Sequence, residues 1–171
     1  MIEFVLKNRK LRLHPDGIMY VRAFSNLGIE TKTEKWKEIK FSCNNQGYKV
    51  CFITLDGVGI HLKEHRMVYY AHNQDWDIWD TSKDNFIDHI NRKRDDNSIT
   101  NLKLATASEN QWNSDAKGYS WNKARGKWQA EIRLNGVAKY LGLFEHEADA
   151  RNAYIKGKEK YHKIIISTNN I

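Results

Sequence analysis

Residues 87–113 read IDHINRKRDDNSITNLKLATASENQWN, and the spacing of their short polar side chains decides how the chain is read. FIDHI is strand-like, NRKRDDNSIT is a polar loop, NLKLAT is a second short strand, and TASENQWN starts a helix. Thr106 with Glu109 three residues on has the capping-box form, which places the helix N-terminus there. Asn101 lies thirteen positions after Asp88, and Asn110 nine positions further. A strand-loop-strand-helix folds back on itself, so this spacing can bring Asp88 to Asn110. The pair offers one carboxylate and one amide oxygen. Both are hard ligands, suited to magnesium or manganese rather than zinc, with positions left for water and phosphate oxygens. His89 alternates away from Asp88 in an ideal strand, and both face one cleft only where the strand ends or twists. The spacing therefore permits a base beside a metal. Asn97, Asn101 and Asn110 each also suit an ordinary turn or cap.

The chain has 171 residues, 40% of them apolar and 12% aromatic, which suits a folded protein of one medium or two to three small domains. The formal net charge is +7. A basic folded chain points first to polyanions such as nucleic acid. No apolar run approaches the roughly 20 residues of a spanning helix, and the first residues, MIEFVLKNRKLRLHPDG, lack the apolar core of a secretion signal. A cytoplasmic protein without membrane contact is expected. Cys43 and Cys51 flank NNQG and are read as reduced strand residues, too few for a four-thiolate zinc site.

Working outward, the first sixty residues read mostly as strands (MYVRAF, WKEIKFS, YKVCFITL) punctuated by HPDG, SNLG, NNQG and LDGVG. Residues 62–72, LKEHRMVYYAH, fit a short helix with Leu62, Arg66, Tyr69 and Tyr70 near one stripe and Met67 beside it. NQDWDIWDTSKDN reads as a loop whose indoles pack back onto the body. AKGYSWNKARGKWQAEIRLNGVAKYLGLF reads as three strands with turns at RG and NG, and residues 145–163 as a helix. The tail IIISTNNI either adds a strand or frays. The expected organisation is α+β: a β-rich segment over residues 1–44, a central module over 45–115, and a three-stranded antiparallel sheet on one helix over 116–171.

The central stretch resembles the signature of the HNH endonucleases with a ββα-metal fold. It has the Asp-His pair, the Asp-Asn loop, the Asn-Leu of the second strand and the Ser-Glu-Asn of the helix start. The upstream GYKVCFITLDGVGIHLKEHRMVYY is similar to the strand pair and His-Arg helix that precede the motif in phage and intron-borne members. The resemblance implies that Asp88 binds metal, His89 is the general base, Asn101 braces the loop and the histidine, and Asn110 is the second metal ligand. Asparagine at that last position is shared with the phage and intron branch and favours magnesium. His89 would take a proton from water, which attacks phosphorus and leaves a 5′ phosphate and a 3′ hydroxyl. His61 and His65 carry weaker signals. Arg66 reaches either a phosphate or a neighbouring part of its own chain.

Residues 118–154 resemble the Apetala-two/ethylene-response-factor DNA-binding domain, through K-W-x-A-x-I, the N-G turn, L-G-x-F and A-x-x-A-Y. That family lays a three-stranded sheet in the major groove. One strand face can present Lys123, Arg125, Lys127, Glu131, Arg133 and Lys139, while Trp121, Trp128 and Tyr140 either contact sugar and backbone or simply pack. Ala130, Ile132, Leu141 and Phe144 suit the core under the helix. The plant-type arginines are not all kept, so no sequence preference carries over. YVRAFSNLG is faintly similar to an element ahead of some mobile-element nucleases, and Lys7, Arg9, Lys10 and Arg12 read as a basic strand. The resulting expectation is a magnesium-dependent, site-recognising DNA endonuclease of homing type. Its partner is double-stranded DNA; it nicks as a monomer, with a double-strand-cutting dimer as the alternative. A restriction or repair nuclease and a non-catalytic DNA-binding regulator are the competing readings.

Overall fold

The computed structural model describes residues 1–23, 35–114, 116–134 and 136–162. The chain is α+β, as expected, with twelve strands and three α-helices among the described residues. These gather into two compact units, Met1–Ala105 and Thr106–Ile171. The tail from residue 163, the SNLG turn and Asn135 of the NG turn lie outside the described residues.

In the first unit, β1 (Ile2–Leu6), β2 (Arg9–Leu13), β3 (Met19–Arg22) and β4 (Trp36–Glu38) form an antiparallel sheet in chain order. Alternation gives the sheet one apolar face: Phe4, Leu6, Leu11, Leu13, Met19 and Val21 are buried while Glu3, Val5 and Lys10 are exposed. Each large aliphatic side chain so buried contributes about 1.5–3 kcal/mol. Two of the basic residues here serve the fold. Arg12 Nε donates to Glu3 Oε1 at 2.7 Å with its guanidinium over the Trp36 ring, and Arg9 donates to the Arg22 carbonyl at 3.0 Å.

A second sheet holds β5 (Ser42–Cys43), β6 (Lys49–Leu55) and β7 (Val58–Lys63). Asp56 and Gly57 make the β6–β7 turn with φ of 49° and 77°, the left-handed pair a tight hairpin needs. Cys43 pairs with Lys49 rather than Cys51, and both thiols are free. Burial raises the Cys51 thiol to about 11, and its Sγ lies 3.8 Å from Met67 Sδ.

Helix α1 (Glu64–His72) follows β7 without a loop. Its buried residues are Glu64, His65, Met67, Val68 and Ala71. This corrects the expected stripe through Arg66, Tyr69 and Tyr70. Leu62 is buried, but as a strand residue, and starting the helix at Glu64 turns the inward face onto the i, i+3, i+4, i+7 set. One hydrophobic cluster joins Phe4, Leu11 and Met19 of the first sheet to Leu55, Met67, Ile87 and Leu102. Strands β8 (Phe86–His89) and β9 (Leu102–Ala105) form a two-stranded ladder pairing Asp88 with Lys103 and His89 with Leu102.

The second unit starts with α2 (Ala107–Trp112), whose capping box is present as expected: Glu109 N donates to Thr106 Oγ1 and Thr106 N to Glu109 Oε2. Strands β10 (Tyr119–Asn122), β11 (Lys127–Leu134) and β12 (Val137–Phe144) form an antiparallel sheet, and α3 (Glu147–Gly157) packs on it. Ala130, Ile132 and Ala150 are fully buried there. Gly118 is required on two counts. Its φ is 60°, and a Cβ would collide with the Tyr154 ring. The helix ends earlier than residue 163, running into a π-helical turn, Lys158–His162, where Lys158 Nζ donates to the Ser114 carbonyl at 2.7 Å.

Candidate active site

His89 is the last residue of β8, where the ladder ends and the chain turns into the loop 90–98. It is 4% exposed and Asp88 beside it 5%. The His89 ring lies among other rings: His65 edge-on at 5.0 Å and Tyr48 at 6.1 Å between centroids. Its Nε2 is 2.9 Å from Asn97 Oδ1, and Asn97 Nδ2 donates to Glu64 Oε2 at 2.6 Å. An amide oxygen only accepts, so His89 Nε2 carries the proton and the basic lone pair lies on Nδ1.

Asn101 is 8% exposed and braces the loop, as its position in the sequence suggests. Its Nδ2 donates to Asn91 Oδ1 at 2.9 Å and to the Asp96 carbonyl at 2.8 Å, and its Oδ1 accepts from Asn91 N at 2.9 Å. The expected brace on the histidine comes from a different asparagine. Asn101 acts on the loop, whereas Asn97, read as a turn residue, makes the hydrogen bond to the ring. Asp96 ties the loop further, accepting from Ser98 Oγ at 2.7 Å and Asn91 Nδ2 at 2.6 Å, and these bonds hold its carboxyl below the usual range. The loop is thus fixed at both ends before it presents Asn97.

Asp88 faces Lys103, whose Nζ is 3.7 Å from Oδ2, a loose ion pair at a buried carboxylate. No group of three or more His, Cys, Asp or Glu side chains that could hold a metal forms among the described residues. Asp88 and Asn110 each carry the oxygen donor that the sequence singles out, a carboxylate and an amide. Asn110 sits in α2, where its backbone N donates to the Thr106 carbonyl at 2.9 Å.

Around the histidine pair the charge is positive. The Tyr48 ring lies under both Lys63 Nζ, at 4.5 Å, and the Arg94 guanidinium, at 5.0 Å. Burial, then the neighbouring Arg66 and Arg94, lowers the Lys63 ammonium. Burial chiefly, and then His89, Lys63 and Arg66, pushes His65 down to about 3, so its ring is neutral. Its Nδ1 has no hydrogen-bond partner among the described residues.

Arg66 is engaged with its own chain, the tethering role that the sequence also allowed. Its guanidinium donates to the carbonyls of Ile78 at 2.6 Å, Asp80 at 3.0 Å and Asn85 at 3.3 Å, and lies over the Trp76 ring. Asn85 completes the arrangement by accepting from Trp76 Nε1 and donating to the carbonyls of Asp77 and Asp80. The Trp76/Trp79 loop is therefore latched to α1 through Arg66; Trp76 packs back as expected, whereas Trp79 is 40% exposed.

In the second unit the proposed DNA face divides. Cross-strand partners share a sheet face. Gln129, Glu131 and Arg133 alternate with the buried Ala130 and Ile132, so they lie on the face away from α3. Lys139 pairs with Ile132 and its ammonium sits 4.3 Å from the Tyr161 ring, on the helix side. Trp121 pairs with Trp128 and stacks edge-on against it at 5.6 Å, also on the register of Ala130. Lys127 is engaged by Glu145 at 2.7 Å. The single face expected to carry Lys123, Arg125, Lys127, Glu131, Arg133 and Lys139 is thus corrected: strand alternation gives Lys139 the opposite side, where Trp121 packs on Trp128. Lys123, Arg125 and Arg133 remain exposed.

Comparison with known proteins bears on the chain as a whole and on the stretch that holds the Asp-His pair and its braced loop. Residues 63–112 match the HNH endonuclease family. Protein 3.8 of Escherichia phage T7 is 30% identical over 87 residues, covering 43% of this chain and 72% of that protein. No solved structure matches the chain significantly. The chain belongs to the HNH endonuclease family. The matched span includes Glu64, His65, Asp88, His89, Asn97, Asn101 and Asn110. Among the described residues no helix is long and apolar enough to cross a membrane.

Proposed function

We propose that the chain is a DNA endonuclease in which His89 Nδ1 takes a proton from the water that attacks phosphorus. The observation that carries this reading is the His89–Asn97 hydrogen bond, which puts the lone pair on one defined ring nitrogen. The oxygen–phosphorus bond forms as the bond to the 3′ oxygen breaks, and the departing oxygen ends as a hydroxyl. HNH nucleases generally use a divalent metal. Asp88 and Asn110 would hold it, on the strength of the motif's spacing and their oxygen donors, with magnesium ahead of manganese and zinc. When bound, the ion neutralises charge on the phosphate and the departing oxygen. Lys63 and Arg94, flanking Tyr48, would hold phosphates on either side of the cut.

The reading extends to the second unit. A sheet-on-helix module of Apetala-two type would deliver DNA, supported by the strand order and by the exposed Lys123, Arg125 and Arg133. One His89 per chain supports nicking by a monomer, while site recognition and homing rest on the resemblance to the phage and intron branch. The test is supercoiled plasmid with magnesium, with and without chelator. Wild type should give open circles only with the metal. His89→Ala should cut about a hundred- to ten-thousand-fold more slowly while still binding DNA. Nicking by that variant at the wild-type rate would remove His89 from the mechanism.

A further inference from the structure

We propose that Glu64 is a positioning residue that fixes, through the Asn97 amide, which nitrogen of His89 is the base. The inference rests on reading His89 as that base. Glu64 lies on α1, well ahead of the Asp-His motif in sequence, and neither metal nor phosphate chemistry assigns it a task. It is 9% exposed, and its Oε2 accepts from Asn97 Nδ2 at 2.6 Å, with Lys49 Nζ at 3.8 Å balancing the charge.

The argument turns on the ambiguity of an asparagine. Its amide presents a donor and an acceptor of nearly equal size, and rotating it by half a turn exchanges them. Placed against an imidazole alone, it can either accept from Nε2–H or donate to a bare Nε2. The first leaves the lone pair on Nδ1 and the second removes it. A carboxylate accepts and cannot donate, so Glu64 holds Nδ2 on its own side. Turning the amide over would set Oδ1 against Oε2, two acceptors within hydrogen-bond distance. Oδ1 is therefore held toward His89, 2.9 Å from Nε2. The direction of both bonds, from imidazole to amide to carboxylate, is set at the charged end. Asn101 holds the loop in place, and Glu64 sets the sense of the bond that the loop presents.

Space around Glu64 makes the test practical. Glu64 and Asn97 both border a cavity of about 930 Å³ within the first unit, so shortening Glu64 widens space that water can enter. The readout is the pair of His89 ring ¹⁵N shifts in the full chain, at a pH where the ring is neutral, alongside nicking of supercoiled plasmid. Wild type should show a single Nε2-protonated tautomer. Glu64→Gln replaces the carboxylate by an amide that can turn and donate, so it should give a tautomer mixture and slower cutting, with a smaller loss than Glu64→Ala. Glu64→Ala should give a tautomer mixture and slow cutting about ten-fold or more, the loss expected for a hydrogen bond to a charged acceptor. In an Asn97→Ala background the same change should have no further effect. A single Nε2-protonated tautomer in Glu64→Ala, or an equal rate loss with and without Asn97, would overturn the proposal. Should Glu64→Ala not fold, a tautomer mixture in Glu64→Gln decides for the proposal and a single Nε2-protonated tautomer there decides against it. A chain that shows these tautomers but never cuts DNA would sink the nuclease reading and leave the positioning role standing.

Discussion

Acid should destabilise the first unit through one side chain, His65. The ring is 4% exposed, packed between Tyr48 at 5.1 Å and His89 at 5.0 Å. Burial first, and nearby positive groups second, bring its folded value from 6.5 to about 3. The unfolded chain therefore takes up a proton near pH 6.5 that the folded chain refuses until about pH 3. Stability is fully present above pH 6.5 and is lost as pH falls toward 3, at about 1.4 kcal/mol per pH unit. By pH 4 the loss is about 3 kcal/mol, a large share of a typical domain's 5–15 kcal/mol. His65→Phe keeps a ring of similar size and removes the titration. The assay is native-state hydrogen exchange at slowly exchanging amides of β6, β7 and α1, which report this unit, at pH 6.5, 5.5 and 4.5. Wild type should lose protection relative to the variant by about 1.4 kcal/mol for each unit. Parallel pH dependences in the two proteins would refute the argument, because His65 would then be charging in the folded state as it does in the unfolded one.

Other perturbations separate roles the structure assigns. Arg66→Ala strands three carbonyls and bares the Trp76 ring, so it should cost about 2–3 kcal/mol in urea unfolding and expose Lys83 to trypsin, while DNA affinity at a fixed site stays the same. Asn101→Ala leaves the Asn91 N–H and Asp96 carbonyl without their partner and should slow cutting through the loop, with crystallographic or NMR displacement of Asn97 as the check. Changing Lys123, Arg125 and Arg133 together to Gln should reduce the slope of log affinity against log salt by about 0.9 for each phosphate contact removed. Lys139→Gln, which lies on the helix side, should leave that slope as it was. Gly118→Ala should destabilise the second unit by about 1–3 kcal/mol, measured by thermal unfolding, since the methyl meets Tyr154 at a left-handed backbone.

Elements governed by local chemistry were legible in the sequence. The capping box at Thr106 and Glu109 needs only residues three apart, and the β6–β7 hairpin announces itself by Asp56-Gly57. The three C-terminal strands follow from alternation. What failed or stayed open depended on partners far along the chain. Arg66 is basic and adjacent to the motif, and nothing nearby says that carbonyls twelve to nineteen residues later will take its donors. Lys139 has the composition of a DNA face, and Trp121 suits either a backbone contact or packing. Their side of the sheet was set by register across β11, where Ile132 and Trp128 sit opposite them, with a bulge at Ala130/Glu131 altering the pairing. The helix stripe at α1 shifted because β7 runs to Lys63 and takes Leu62 with it.

The asparagines of residues 87–113 show the limit most plainly. Asn91 closes a turn, Asn97 orients a ring, and Asn101 braces the loop between them. Composition cannot rank these fates, because one amide donates and accepts equally well and suits each place. What ranks them is the charge state of the neighbour. Asn97 becomes directional only because Glu64, thirty-three positions earlier on another element, can accept and never donate. A motif search that stops at Asp88, His89, Asn101 and Asn110 recovers the residues nearest the chemistry. The sense of the hydrogen bond at His89 is decided one residue further out, by a carboxylate whose significance appears only once α1 and the loop after β8 are folded against each other.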